Sequence, residues 1–129
     1  ANEREHSNLE RRYHAPSLWD VFVRYVGRQG YEIPEDFLAR DVTQANGYSA
    51  GVQQVLIDVY RNDPAVTRLC EYLTDLDEGL QEWRFRHVMM VQRTIGTKMG
   101  TGGSSGAEYL RSTLFRPAFP DLWAVRSAF

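Results

Sequence analysis

DPAVTRLCEYLTDLDEGLQEWRFRHVMMVQRTI, residues 63–95, decides the fold. Asp63 offers a capping side chain and Pro64 follows at the first helical position, a strong pair of helix-start signals. From there Val66, Leu69, Cys70, Leu73, Leu76, Leu80, Trp83 and His87 recur every three or four residues, out to about Ile95. Such a helix is about 45 Å long at ~1.5 Å per residue. A sphere of 129 residues is only about 36 Å across, from a radius of gyration near 14 Å. The helix therefore outruns its own domain: either it packs against other subunits or it belongs to a larger chain.

Working outward, the segments before it are also helical. Residues 2–14 are polar and helix-compatible, and Pro16 with Ser17 opens a second helix. There Leu18, Phe22, Tyr25 and Val26 fall at helical spacing before Gly30 ends the run. Pro34 begins a short turn or helix, Asp41 to Ser49 carries turn residues and reads as loop, and Ala50 to Arg61 returns to helix on a Val52, Val55, Leu56, Val59 stripe. Downstream, a loop at 97–105 precedes a helix of about ten residues (Ala107, Leu110, Leu114); Pro117 and Pro120 break it, and a last short helix covers Asp121 to about Ser127. Strand signals are nearly absent. The expected fold is all-α, a helical bundle in one domain spanning 1–129.

Composition narrows the function. The 129 residues are 43% hydrophobic and 12% aromatic, which fits a folded globular chain. Fifteen basic and seventeen acidic residues are well mixed, with a formal charge of −2, so nothing favours nucleic acid or an anionic membrane as partner. No apolar run approaches the roughly 18 residues that span a bilayer, and the opening ANEREHSNLERR is too charged for a signal peptide. A single cysteine, Cys70, excludes an internal disulfide framework and suits a reducing compartment, so a soluble cytoplasmic protein is expected. The start at Ala1 rather than Met is a weak sign of an internal fragment.

Chemistry concentrates between Glu82 and Gly106. His87 shares a face with Trp83, Met90, Val91 and Thr94, its neighbours at helical spacing. An imidazole on an apolar wall is what an axial haem ligand needs; a core histidine bonded to a backbone carbonyl is the plainer reading, and spacing leaves both open. No second histidine, cysteine or HExxH pattern makes a zinc site nearby, and without CxxCH any haem would lack thioether bonds. The loop GTGGSSG, Gly100 to Gly106, can turn successive N–H groups and the Thr101, Ser104 and Ser105 hydroxyls toward an anion such as a carboxylate or haem propionate. It can equally be a connector, and it lacks the spacing of a nucleotide-binding P-loop. Arg84, Arg86 and Arg93 flank His87 as candidate propionate partners or as a solvated, ion-paired face. Trp19 and Trp123 read as core, His6 and His14 as exposed, and Cys70 as buried and inert.

WRFRH, RTIG, GTGGSSG, YLR and FPDLWAVR, in this order and spacing, closely resemble the tryptophan 2,3-dioxygenase family, and the likeness extends upstream through PSLWD, RDVTQ and VYRNDP. It covers most or all of the chain. The resemblance implies a haem b enzyme that inserts both atoms of O2 across the indole C2–C3 bond of L-tryptophan, giving N-formylkynurenine. It implies His87 as the proximal iron ligand and Thr101 as a contact to the amino-acid part of the substrate, with a homotetramer as the assembly. Trp83, one turn before His87, is a candidate to orient the imidazole, with core packing as the alternative. The family's N-terminal half, which supplies the distal pocket, has no counterpart in this sequence, so the chain corresponds to the C-terminal part and a separate N-terminal piece is a possible partner. A diverged relative acting on another indole or aromatic substrate, and a non-catalytic helical assembly module, are the competing readings.

Overall fold

The computed structural model describes residues 3–95 and 116–129 of the chain, and every regular element among them is helical. These are α1 (Glu3–Tyr13), α2 (Leu18–Arg28), α3 (Glu35–Leu38), α4 (Ala50–Asn62), α5 (Pro64–Ile95) and α6 (Pro120–Ala124), the last running into a 3₁₀ turn over Val125–Ala128. The all-α class expected from the sequence is the class observed. No described helix is long and apolar enough to cross a membrane.

Helix starts follow local chemistry. Ser17 and Asp20 form a capping box on α2: the Asp20 N–H donates to Ser17 Oγ at 3.3 Å, and the Ser17 N–H donates to Asp20 Oδ2 at 2.9 Å. The other Asp20 oxygen pairs with Arg40, whose second guanidinium nitrogen donates to the Gln44 carbonyl at 2.7 Å, so α2 is tied to the loop before α4. Ser49 caps α4 by accepting the Val52 N–H. Asp63 accepts the Val66 N–H at 3.1 Å and starts α5 one residue after α4 ends. Gly30 takes φ +105° where the chain leaves α2, a conformation open to glycine.

The core sits where α2, α4, the first half of α5 and α6 meet. Trp19, Phe22, Val23 and Val26 of α2 face Val52, Leu56 and Val59 of α4, Val66 and Cys70 of α5, and Phe119, Leu122 and Val125. Trp19 is its aromatic centre, with the Phe22 and Phe119 ring centroids each 5.5 Å away. Leu18 departs from expectation and stays exposed, because the packed face of α2 centres one position along, on Trp19. At the C-terminal end Arg126 makes a two-bond pair with Glu71, at 3.0 and 2.6 Å, while Phe129 lies 4.6 Å from the Tyr60 ring.

The long helix is observed as expected, Pro64–Ile95, but its apolar stripe divides in two. Val66, Cys70, Thr74, Asp77 and Val88 are buried. Leu69, Leu76, Leu80 and Trp83 form a second seam and are 37%, 47%, 37% and 61% exposed. At 3.6 residues per turn the two seams lie about a quarter turn apart. The described core covers only the first of them.

A buried carboxylate joins the two ends of the described structure. Asp77 is fully buried and accepts the Ala118 and Phe119 N–H groups at 2.9 and 2.8 Å and the Trp123 indole N–H at 3.0 Å. Trp123 is therefore not the core residue expected: its ring edge is anchored while the rest stays 37% exposed. Burial pushes the Asp77 carboxyl up, but the bonds from Ala118, Phe119, Trp123 and Gln81 outweigh it and hold it below the ordinary carboxylate range. Because the folded value lies below the unfolded one, the stabilisation is complete above the unfolded value of about 3.9 and is lost as pH falls through the folded value. Asp77→Ala strands three donors, each costing about 1–3 kcal/mol when left unpaired. Urea unfolding at pH 7 should show a loss of about 3 kcal/mol or more, and the variant should lose less further stability than the parent between pH 5 and pH 2.5; a variant as stable as the parent would refute the anchoring role.

Candidate functional site

The distal half of α5 is built to be seated on something. Past Asp77 it keeps one side against the returning segment at Arg116–Phe119: Gln81 Nε2 and Arg84 Nη1 both donate to the Arg116 carbonyl, at 2.9 and 2.7 Å. On another side Trp83, His87 and Met90 continue the exposed apolar seam, and Phe85 and Met89 add exposed apolar surface beyond it. Large apolar side chains this exposed, in a contiguous run on a polar-rimmed helix, mark a binding face.

His87 stands on this face, half-buried, near the C-terminal end of α5. Its ring lies face to face with that of Trp83, the centroids 5.1 Å apart and the planes within 5°. Helical spacing brings residues i and i+4 together, and here the contact is a parallel stack. Neither ring nitrogen makes a hydrogen bond among the described residues. Nor is Trp83 a core residue at 61% exposure.

The three arginines separate by role. Arg84 is committed to the Arg116 carbonyl. Arg86 pairs with Glu82 one turn back at 2.9 Å, both well exposed, which is the solvated ion pair allowed for above. Arg93 is exposed in the last turn. Thr101, the loop Gly100 to Gly106 and the helix expected around Ala107 to Leu114 lie outside the described residues. His6 is exposed beside Glu10, at 3.5 Å, and His14 is exposed as expected.

The donor set suits haem. A porphyrin takes a single imidazole and an apolar wall from the protein, and His87 offers an imidazole with both nitrogens uncommitted among the described residues, next to exposed Trp83 and Met90. The described residues gather no cluster of three or more His, Cys, Asp or Glu.

Beside Asp20 of the α2 capping box, two further buried carboxylates had no part in the sequence reading. Asp77 had a signal: an acid on the packed side of an apolar helix needs donors, and RPAFP has just two N–H groups between its prolines, both in want of an acceptor. Asp121 accepts the Ser49 N–H and the Gln53 amide on one oxygen, at 3.0 and 2.8 Å, and burial pushes its carboxyl up. No local pattern announces it, because both partners lie some seventy residues away.

Comparison with known proteins converges on one family. The family model described as tryptophan 2,3-dioxygenase matches residues 32–129. A tryptophan 2,3-dioxygenase of Herpetosiphon aurantiacus is 60% identical over 122 residues, covering 95% of this chain and 46% of that protein. Those of Anaeromyxobacter sp. (strain K) and Arthrobacter sp. (strain FB24) are 55% and 47% identical, over 95% and 88% of this chain and 46% and 41% of their own lengths. The chain thus spans a little under half the length of the curated relatives it matches.

Cys70 is excluded from the chemistry. It is completely buried in the core, and burial, with Glu71 adding to it, pushes the thiol up to about 12. Since the thiolate is the reactive form, iodoacetamide at pH 8 should leave Cys70 unmodified in native buffer and label it fully in 8 M urea; labelling in native buffer, read by mass spectrometry, would contradict the buried placement.

Proposed function

Because the chain belongs to the tryptophan 2,3-dioxygenase family, we propose that it is the C-terminal, proximal-side portion of a haem dioxygenase acting on L-tryptophan, with His87 as the axial ligand. The observation that carries this is the His87 imidazole itself, uncommitted among the described residues and set on an exposed apolar face beside Trp83 and Met90. When bound, haem b supplies the redox-active iron for inserting both atoms of O2 across the indole C2–C3 bond, giving N-formylkynurenine.

The chain's own residues divide the remaining work. His87 would hold the haem iron through a ring nitrogen, and the bound haem would supply the oxygen chemistry. Trp83 and Met90 exclude water from the buried ring edge. The Thr101 hydroxyl, with neighbouring N–H groups of the glycine loop, binds the zwitterionic end of L-tryptophan and so holds the indole at the reacting centre. An upstream half, which the family resemblance implies, would supply the distal wall and the rest of the substrate clamp.

Self-association belongs to the same reading. The seam from Leu69 through Leu80 to Trp83 is apolar and exposed, and lies about a quarter turn round α5 from the core among the described residues. We assign it to contacts with other subunits of a homotetramer and with the upstream half. A single buried cysteine and the lack of a membrane-crossing helix among the described residues accord with a cytoplasmic location.

Titration of the purified chain with haemin, beside His87→Ala, tests the proposal. The expected result is a sharp Soret band saturating near one haem per chain and lost in the variant. Weak binding that the substitution leaves unchanged would remove His87 from the role; stoichiometric binding followed by N-formylkynurenine formation once the upstream half is supplied would complete it.

A further inference from the structure

We infer that Trp83 is a positioning residue for the axial ligand, fixing the plane of the His87 imidazole by face-to-face stacking in place of a hydrogen bond. This rests on the proposed role of His87 and adds a device to it. The two rings are parallel within 5° at a centroid separation of 5.1 Å, one helical turn apart on the same seam.

Metal-bound histidines are commonly oriented by a hydrogen bond to the second ring nitrogen, which fixes the tautomer and raises the basicity of the ligand. No such bond is made to His87 among the described residues. A stack restrains something different. It presses on the ring face, so it limits rotation about the Cβ–Cγ bond, while both nitrogens, which point outward in the ring plane, stay free. The indole is suited to this because it is broad, rigid and has few rotatable bonds. Its exposure argues against a packing role, since a tryptophan that leaves 61% of its surface outside stabilises the core little. The base of α5 on that stretch is itself immobilised: Arg84, the next residue, is bonded to the Arg116 carbonyl. Trp83 thus passes the orientation of an anchored helix turn to the imidazole above it.

The test uses the ferrous, haem-loaded protein and the variants Trp83→Phe, Trp83→Ala and His87→Ala, with far-ultraviolet circular dichroism to confirm the helical fold. The readouts are the iron–histidine stretching band in resonance Raman spectra and the rate of haem transfer to an apo-globin acceptor. Trp83→Phe, which keeps an aromatic face, should retain the band and the rate. Trp83→Ala should shift or broaden the band and speed haem loss about tenfold, within the range typical of lost outer-sphere support. A Trp83→Ala protein with unchanged band and rate overturns the inference, as does a Trp83→Phe protein as impaired as Trp83→Ala. If His87→Ala keeps the band, the axial role itself falls and the inference with it, so the two failures are told apart.

Discussion

Asp77 is the constraint on which the rest of the described structure depends. Residues 117–120 read PAFP, and prolines at both ends leave the segment two N–H donors, at Ala118 and Phe119. A chain with so few donors cannot dock through helix or sheet hydrogen bonding; it needs an acceptor brought to it. The Asp77 carboxylate provides one oxygen to Ala118 and the other to Phe119, and the second oxygen also receives the Trp123 indole N–H. Removing a carboxylate from water is expensive unless its oxygens are fully bonded, and here they are. The result places Phe119 against Trp19 and Leu122 in the core, so a polar contact on α5 closes an apolar one between α2 and α6.

The same anchoring explains how α5 can be long without being loose. A helix projecting from a small core is held only by its first turns unless a second attachment is made further along. Gln81 and Arg84 make that attachment through the Arg116 carbonyl, one and two turns beyond Asp77. All of these side chains sit on the packed seam, a quarter turn from the face that carries Trp83 and His87. Clamping therefore occupies one side of the helix and leaves the other free.

Much of this was legible in the sequence, and the failures have physical causes. Helix starts followed from caps and periodicity: Pro16-Ser17 and Asp63-Pro64 each open a helix as read, and Ala50 begins the next after the loop. Stepping by three or four did not distinguish two seams, because Leu69 and Cys70 are adjacent in sequence yet belong to different faces, and both are apolar. Periodicity reports that a helix has an apolar side; it does not report what covers that side. For the same reason Leu18 was placed on the apolar stripe by spacing, and Trp123 in the core by residue type. Asp121 was out of reach, since a carboxyl bonded to Ser49 and Gln53 is a long-range event with no local pattern. His87 was read from spacing as lying on an apolar face, and the structure stacks it on Trp83 beside exposed Met90.

The division of α5 into a clamped seam and an exposed one also bears on why a ligand would be carried there. An axial histidine in a packed core would compete with neighbouring carbonyls for its own nitrogens and would leave no room for a flat ring of porphyrin size. On a wholly exposed helix it would be wet and free to turn. In the proposed role His87 avoids both conditions: Arg84 on the packed side bonds the Arg116 carbonyl, and the His87 ring is stacked on Trp83. Leaving Trp83 and Met90 in water is unfavourable for the isolated chain, and that cost is recovered only when another surface covers them. Under the proposed function the same unmet burial would serve cofactor, upstream half and neighbouring subunit together.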